Sequence, residues 1–407
     1  MTERALLLVP HPALMLQRAA GMSALERQLW TLSRSGFKKV WVGAQRPAAT
    51  LRLPPGLEIL WSDSSAAAEF ACEPPYVAVS GDHFIRVETL RYVAESTYPT
   101  PVALEDAAGE AVIQVAPFRD DRTTQARRQP LPAGSTIKLQ SPIGAGRAIP
   151  WLLALGVKAQ DGFMARNFDR YISRAVSRVV LDTAMTPNMM TVTSSLIGLC
   201  GAAFFLVPTH AMRLTGALLI WLHSVLDGCD GELARIRFEE SPLGADIDFW
   251  GDNVVHVALF ACIAVGFYRA DRDIWPILAA VAASVGTLGS AIMNYRERLE
   301  RRRNPAAAAA AAATAEAAGF VPALTRLENM LAARDFIYLL VVLAYVDRLY
   351  EFMWAAAVGS LLFFFMMLYL GRKNNEQASQ PHPPREGETG SPASGNGSGH
   401  QHLYSRG

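Results

Sequence analysis

The stretch from residue 226 to residue 252, LDGCDGELARIRFEESPLGADIDFWGD, decides the fold and the chemistry of this chain. It places aspartates at positions 227, 230, 248 and 252 around small residues and an arginine, in the pattern D-x2-D-G-x2-A-R-x8-G-x3-D-x3-D. The flanking segments are apolar, and an ionised carboxylate in such surroundings is costly unless it has a partner. Several carboxylates gathered in one place therefore indicate a cation site.

The spacing of the aspartates predicts two facing helices. Asp227 and Asp230 are three residues apart and share one face of a helix. Asp248 and Asp252 are four residues apart and share a face of the next helix. Ser241-Pro242 lies between the pairs and is a natural helix break. Two adjacent helices would thus present all four carboxylates to one small volume.

Carboxylate oxygens are hard ligands, which suit Mg²⁺, Mn²⁺ or Ca²⁺ better than zinc. No Cys/His pair in the chain has the spacing of a zinc ligand set. The alternative is a set of buried ion pairs or helix-capping acids, but Arg235 and Arg237 are too few to neutralise four acids. The residues therefore predict a magnesium (Mg²⁺) or manganese (Mn²⁺) site, and two divalent ions would clamp a phosphoryl group there.

Small and cationic residues complete the pattern. Gly231, Ala234 and Gly244 allow a helix or a ligand to approach closely. Arg235 is a fixed cation that suits a phosphate. The pattern thus combines a metal site with a place for a phosphorylated ligand.

All eight fixed positions of this pattern match the signature of the CDP-alcohol phosphatidyltransferase family, which the segment resembles. The resemblance implies a dimetal membrane enzyme. Such an enzyme transfers a phosphatidyl or phospho-alcohol group from a CDP-linked donor to a hydroxyl acceptor and releases CMP. The alternative from another class is a membrane scaffold without catalysis, and the intact pattern argues against it.

The resemblance also implies roles for individual residues. Asp227, Asp230 and Asp248 would be metal ligands, and Asp252 would be both a ligand and the general base for the acceptor hydroxyl. The residues that would bind the CDP-linked donor are Gly231, Ala234 and Gly244 around the cytidine and Arg235 at the phosphates.

A second element, Thr186-Pro187-Asn188 followed by Thr191, opens the first apolar helix. Pro in the first turn with polar neighbours is a helix start, so capping alone would explain it. The element also resembles the TPNxxT sequence that many of these transferases carry beside the nucleotide site. Asn188 and Thr191 are therefore candidate donor-binding residues.

Candidate residues for the acceptor are Arg296 and Arg334, which could anchor a phosphate. Basic residues that extend to the membrane surface are an equal explanation for both. In many relatives that use inositol phosphate, the last aspartate is followed by arginine, whereas here Asn253 follows Asp252. Asn cannot clamp a phosphate as a cation does, so the acceptor stays open.

The chain has 407 residues, of which 51% are hydrophobic. The hydrophobic residues are unevenly distributed, and this distribution divides the chain into segments. The net charge of +1 does not favour nucleic acid as a partner. We predict an N-terminal α/β domain, a linker, an amphipathic juxtamembrane helix, an all-α membrane domain and a disordered tail. Their ranges are 1–116, 117–160, 161–183, 184–372 and 373–407.

The apolar stretches after residue 188 predict six transmembrane helices, each close to the length of about 20 residues that spans a bilayer. Their approximate ranges are 188–208, 212–234, 244–268, 274–295, 333–349 and 351–371. In segment 161–183 an apolar face opposes arginines spaced by four residues, which is typical of a helix lying in the membrane interface. Basic residues concentrate on one side of this path, so both termini and the active site are expected in the cytoplasm, at the cell (inner) membrane. The family resemblance implies a homodimer.

The N-terminal part predicts a parallel α/β sheet. Short apolar runs at 5–9, 39–43 and 76–80 indicate strands, and 23–35 indicates a helix that ends at Gly36. Residues 23–44 and 76–85 resemble sugar-phosphate nucleotidyltransferases, with Asp82 where those enzymes hold a metal.

The nucleotidyltransferase-like domain is predicted to be truncated and degenerate. The Gly-rich phosphate loop expected after the first strand is replaced by VPHPALMLQRAAG at 9–21, whose prolines remove backbone N–H groups that such a loop needs. Fused relatives that make di-myo-inositol-phosphate-type diesters join such a domain to this transferase. They raise the alternative of a bifunctional enzyme, a CTP:inositol-phosphate cytidylyltransferase plus a transferase that uses CDP-inositol.

Overall fold

The computed structural model describes residues 2–117, 126–141, 143, 147–155, 168–306 and 335–378. The N-terminal part alternates strands with short helices. Its elements in chain order are β1 Arg4–Leu8, α1 Pro12–Met15, β2 Arg18–Ala19, β3 Met22–Ser23, α2 Ala24–Arg34, β4 Lys39–Val42, β5 Glu58–Trp61, α3 Ser65–Ala71, β6 Tyr76–Ser80, β7 His83–Ile85, α4 Val87–Glu95, β8 Val102–Glu105, β9 Ala111–Ala116, β10 Arg127–Pro130, β11 Thr136–Lys138 and α5 Ala148–Leu155.

Seven strands form a mixed sheet in the order β10-β8-β9-β6-β1-β4-β5. The predicted strands are β1, β4 and β6, and β1 pairs in parallel with both neighbours, with Leu6 opposite Trp41 and Ala78. The prediction of a parallel sheet holds for this half. It does not extend to β9, which is antiparallel to both β6 and β8.

The predicted helix at 23–35 is α2, and local chemistry fixes its start. Ser23 caps it by accepting a hydrogen bond from the Glu26 N–H, while the Glu26 carboxylate accepts from the Ser23 N–H at 2.7 Å. This capping box satisfies backbone donors that the first turn leaves without partners. Gly36 follows the helix with φ +97°, as expected for a glycine that ends a helix.

The predicted linker over 117–160 is wrong where the structure describes it. Strand β10 pairs in parallel with β8, and β11 pairs with β7. The apolar side chains of α5 join the core of the sheet domain. Pro132 and Gly134 lie between β10 and β11, whereas Pro130 and Pro150 lie within β10 and α5, so the N-terminal domain reaches residue 155 rather than 116.

The second part of the described chain is helical. Its elements are α6 Arg170–Val180, α7 Pro187–Phe204, α8 His210–Arg237, α9 Pro242–Asp271, α10 Trp275–Arg303, α11 Asp335–Tyr345 and α12 Leu349–Ala378.

Three of these helices have the length and apolarity to cross a membrane: α9, α10 and α12 up to Tyr369. Helices also occupy the other three predicted spans, but α7 and α8 carry more polar residues, and α11 has 11 described residues. The chain is therefore a membrane protein with three candidate spans in the described part, and the count of six stays a prediction. Helix α12 continues past the predicted domain end at 372, and residues 379–407 lie outside the described range.

The described half of the predicted interfacial segment is α6. Its predicted apolar face is exposed, with Phe168 55%, Ile172 37% and Val179 74% accessible. The opposite face of α6, which packs against the rest of the protein, is polar and contains Arg170, Ser173 and Ser177. Arg170 on this face is buried rather than solvated. Burial alone does not place the exposed face in a membrane, so the interfacial role stays a prediction.

The sheet domain and the helical part share one core. Leu233 and Ile236 of α8 are buried in the same cluster as the strands. Arg27 of α2 donates to the Ile236 carbonyl oxygen at 2.7 Å, and Trp30 stacks on Phe238 with ring centroids 5.9 Å apart. The sheet domain therefore packs directly on the helix end that carries the aspartate pattern.

Candidate active site

The turn between α8 and α9 sets the two halves of the pattern against each other. Helix α8 ends at Arg237, and the next residue, Phe238, has a left-handed φ of +53° that reverses the chain. Helix α9 begins with Pro242 in its first turn, and the Ser241 hydroxyl accepts a hydrogen bond from the Gly244 N–H at 2.9 Å. The predicted helix break at Ser241-Pro242 is confirmed.

Three of the four aspartates form a tight group. One carboxylate oxygen from each of Asp227, Asp230 and Asp248 lies within 4.8 Å of the others. Asp227 and Asp230 are 6% and 7% exposed. The Thr191 hydroxyl donates a hydrogen bond to Oδ2 of Asp230.

The group fits a divalent cation. Oδ1 of Asp248 is buried and has no hydrogen-bond partner among the described residues. A buried carboxylate oxygen without a donor is costly. Three such anions at close quarters are stable together only when a cation, or protons, neutralise them. The donor set is all oxygen, which suits a hard ion such as magnesium or manganese.

Asp252 stands one turn further along α9 and outside this tight group. Its side chain is 37% exposed, and its Oδ1 lies 3.5 Å from Nε2 of the buried His223. The family resemblance predicts a fourth metal ligand at this position. The structure places Asp252 beside the group of three, facing the cavity described below.

The small residues of the pattern make room for close contacts. A side-chain Cβ at Gly231 would lie 3.1 Å from Nη1 of Arg235, so the guanidinium crosses over this glycine. A Cβ at Gly244 would lie 2.7 Å from Oδ1 of Asn188. Ala234 is half-buried on the same helix as Arg235. A side chain at position 244 would therefore displace the Asn188 amide, which Gly244 allows to lie against α9.

Asn188 and Thr191 both lie in the first turns of α7, beside the site. Asn188 is exposed, whereas Thr191 is 3% exposed and bonded to Asp230. Thr186 caps α7 by accepting from the Met189 N–H at 3.2 Å. Thr186 therefore provides the cap, which leaves Asn188 and Thr191 available for the site.

The structure does not bring Arg296 to the aspartates. It is exposed on the last turns of α10 and does not line the cavity beside Asp252. Arg302 of the same helix instead forms a bidentate ion pair with Asp246 at 2.9 and 3.0 Å. Arg334 lies outside the described residues.

A cavity of about 620 Å³ opens beside Asp227 and Asp252. Most of the surface that lines it is apolar. The cavity lies between α8, α9, α10, α11 and α12. Besides the two aspartates, its polar side chains are those of His223, Ser224, Asn253, His256, Thr287, Ser290, Asn294 and Ser360. A ligand in this cavity would reach the carboxylates from the helical bundle.

Two features of the site escaped the sequence analysis. His223 precedes Asp227 by four residues, so the helical spacing that grouped the aspartates would also have grouped this histidine. Glu232 is fully buried and accepts hydrogen bonds from Arg170, from Ser173 at 3.0 Å and from Ser177 at 2.8 Å. A charged residue at a variable position of the pattern gives no sequence signal for such burial.

Comparisons with known proteins show what the helical part of the chain is similar to. Residues 184–361 match the family model of the CDP-alcohol phosphatidyltransferases. A bifunctional IPC transferase and DIPP synthase from Thermococcus kodakarensis is 34% identical over 206 residues, which cover 50% of this chain and 43% of that protein. A phosphatidylinositol phosphate synthase from Corynebacterium glutamicum is 30% identical over 138 residues, which cover 33% of this chain and 59% of that protein.

A crystal structure of the Mycobacterium tuberculosis phosphatidylinositol phosphate synthase with CDP-DAG bound is similar to 49% of this chain and 92% of that chain, with 20% identity and a TM-score of 0.36. The alignment with the Thermococcus protein spans less than half the length of that relative. The match of the family model covers all four aspartates and the helices that carry them. Residues 184–361 therefore form a domain of the CDP-alcohol phosphatidyltransferase family.

Proposed function

We propose that this chain is an integral-membrane CDP-alcohol phosphatidyltransferase. It transfers a phosphatidyl or phospho-alcohol group from a CDP-linked donor to a hydroxyl acceptor and releases CMP. The observation that carries the proposal is the convergence of Asp227, Asp230 and Asp248, with Asp252 beside them, inside the matched domain.

The carboxylates of Asp227, Asp230 and Asp248 would hold two divalent ions, magnesium or manganese, with Asp252 as a further ligand. Bound there, the ions would neutralise the donor phosphates and the charge that develops on the leaving group. The unbonded Oδ1 of Asp248 supports this assignment, because a cation supplies the partner that it lacks.

Asp252 is the proposed general base. The acceptor O–H proton passes to the Asp252 carboxylate, the acceptor oxygen bonds to the transferred phosphorus, and the bond from phosphorus to the CMP oxygen breaks. Asp252 suits this role because its side chain is partly exposed and faces the cavity where an acceptor would enter. Arg235, whose guanidinium crosses Gly231, would approach the donor phosphates, and Gly244 with its neighbour Asn188 would contact the rest of the donor.

We further propose that the helical domain crosses the inner membrane six times and acts as a homodimer. The aspartates and the sheet domain would face the cytoplasm, where CDP-linked donors and magnesium are available. The concentration of basic residues on one side of the helices supports this orientation. The exposed apolar face of α6 would lie in the membrane interface.

The test uses the full chain reconstituted in phospholipid with magnesium. Release of CMP is measured with CDP-diacylglycerol or CDP-inositol as donor, and with phosphorylated and unphosphorylated alcohols as acceptors. Asp252→Asn should abolish CMP release, whereas Asp246→Asn, a carboxylate of the same helix that pairs with Arg302, should keep most of it. Release that survives in Asp252→Asn would refute the mechanism. A wild-type chain that releases no CMP with any pair would favour a scaffold.

A second candidate is the bifunctional enzyme, which the printed name of the Thermococcus relative favours. Against it, the segment after β1 forms α1 and a short β2–β3 hairpin instead of an open phosphate loop. The Asp252→Asn chain separates the two, because only its first domain could then act. Pyrophosphate formed from CTP and inositol phosphate by this variant would establish the cytidylyltransferase activity.

A further inference from the structure

A second group of titratable residues lies in the sheet domain, at the carboxyl end of β6. His83 is 1% exposed and begins β7, directly after Asp82. Its Nδ1 lies 2.9 Å from Oδ1 of Asp82, which also accepts a hydrogen bond from the Ser80 hydroxyl. The Asp82 contact assigns the imidazole N–H to Nδ1, because a carboxylate can only accept.

The other imidazole nitrogen points at two carboxylates from the turn between β8 and β9. Nε2 of His83 lies 3.4 Å from Oδ2 of Asp106 and 3.9 Å from Oε2 of Glu110. It is buried and has no hydrogen-bond partner within the described part of the chain. One ligand atom from each of the three residues lies within 4.8 Å of the others. With the N–H on Nδ1, the Nε2 lone pair faces negatively charged oxygens.

Hydrogen bonds fix both aspartates beside His83. The N–H groups of Ala108 and Glu110 each donate to Oδ1 of Asp106 at 2.9 Å. Its Oδ2 stays directed at His83. Asp82 is held by the Ser80 hydroxyl and by Nδ1 of His83.

Glu110 is the exposed member of the group, and Lys138 donates hydrogen bonds to both of its carboxylate oxygens, with 2.6 Å to Oε2. A carboxylate oxygen has a second lone pair, so this contact leaves room for another partner. The geometry is that of an imidazole oriented by a second-shell carboxylate, a common arrangement around metals.

We propose that His83, Asp106 and Glu110 bind a divalent cation of the zinc class, with Asp82 orienting the histidine. An imidazole nitrogen with two carboxylate oxygens suits zinc better than magnesium, and three protein ligands leave a position for water. The site is separate from the aspartate site of α8 and α9 in both ligand type and location. It joins β7 to the β8–β9 turn and does not depend on the proposed transferase activity.

The test measures zinc bound to the full chain in detergent. The protein is stripped with a chelator, saturated with magnesium to fill the all-oxygen site, titrated with ZnCl₂ and analysed by elemental mass spectrometry. His382, His400 and His402 are replaced by Gln in every sample, because tail histidines also bind zinc. About one zinc ion per chain is expected, with one nitrogen and oxygen ligands in its X-ray absorption spectrum.

Variants identify the ligands. His83→Gln and Glu110→Gln should lose the zinc, and Asp82→Asn should weaken binding by about 10- to 100-fold. His11→Gln, an exposed histidine of the same domain, is the matched control and should bind normally. Glu110 is exposed, so its variant keeps the test valid if His83→Gln fails to fold. Zinc retained in both variants, or a wild-type chain without zinc, would overturn the proposal and leave His83 as a residue that only links β7 to the β8–β9 turn.

Discussion

Nε2 of His223 lies 3.5 Å from Oδ1 of Asp252, while Nδ1 of the same ring lies 2.9 Å from the carbonyl oxygen of Ser194. A carbonyl only accepts, so Nδ1 carries a proton, and Nε2 is the ring nitrogen that faces Asp252. In the neutral form of this ring Nε2 can accept a hydrogen bond. If Asp252 takes the acceptor proton, its new O–H has His223 as a ready hydrogen-bond acceptor. His223 is thus a positioning residue for the proposed base.

The first prediction concerns this relationship. His223→Gln should lower kcat for CMP release by about 10- to 100-fold, less than the loss of the base itself, which is typically about 100- to 10,000-fold. KM for the donor should change little, because His223 lines the cavity beside Asp252, where the acceptor is proposed to enter. Steady-state CMP release measures both constants.

The matched control is His210→Gln, at the exposed opposite end of the same helix, which should behave as wild type. An unchanged kcat in His223→Gln would show that the His223 ring contributes to packing and does not position Asp252.

Sequence periodicity was enough to predict the convergence of Asp227, Asp230 and Asp248, because helical spacing fixes which residues share a face. It also predicted β1, β4, β6 and α2, whose apolar runs and caps are local signals. These features depend on residues close in sequence, so they can be recognised without the fold.

Other features depend on partners far apart in the chain. Arg170 belongs to a regular arginine stripe typical of a solvated face, yet it pairs with Glu232, 62 positions away. Leu233 and Ile236 resemble membrane-facing residues, yet they pack into the core of the sheet domain. No local pattern distinguishes a helix surface that meets a domain from one that meets lipid.

The second prediction concerns Asp248. In metal-free protein, Asp248→Asn should raise Tm, because it removes one of three mutually repelling buried carboxylates. With saturating Mn²⁺ the order should reverse, because the wild type gains more stability from the ion. CMP release should fall at least about 100-fold at standard magnesium.

Thermal unfolding with and without Mn²⁺ measures the Tm difference between Asp248→Asn and wild type under both conditions. Asp246→Asn serves as the control, because the partner of Asp246 is Arg302. If Mn²⁺ raised the Tm of wild type and Asp248→Asn equally, Asp248 would not be a ligand.

The third prediction concerns the buried pair between Arg170 and Glu232. Glu232→Gln leaves the Arg170 guanidinium buried without its counter-charge, which should cost about 3–5 kcal/mol of unfolding free energy. Glu297→Gln removes an exposed pair with Arg301 and should cost less than about 1 kcal/mol. Denaturant unfolding in mild detergent compares the two.

A Glu232→Gln protein as stable as Glu297→Gln would mean that water or lipid headgroups solvate Arg170. In that case α6 would not be fixed to α8, and its exposed face would lose its defined direction.

The fourth prediction concerns Glu26 in the capping box of α2. Burial opposes its ionisation, but hydrogen bonds from the Arg52 N–H at 2.6 Å and from Ser23 hold the pKa below its usual 4.5. A carboxyl with a lowered pKa in the folded state stabilises that state above the unfolded pKa, and this stabilisation is lost as pH falls through the folded value. Glu26→Gln should therefore cost about 0.5–2 kcal/mol at pH 7, a difference that shrinks below about pH 4.5.

Unfolding of the full chain, followed by circular dichroism between neutral and acid pH, measures this difference for Glu26→Gln against wild type. Glu88→Gln is the control, since Glu88 lies in the first turn of α4, where no side chain caps the helix. The Glu26 carboxylate also accepts from the Arg52 backbone, and Arg52 pairs with Glu239 at 2.6 Å beyond the end of α8. Loss of the Glu26 carboxylate should therefore also weaken the ion pair between Arg52 and Glu239, which links the sheet domain to the end of α8. A difference that stays constant with pH would mean that the amide reproduces all of these hydrogen bonds, and that the charge itself contributes nothing.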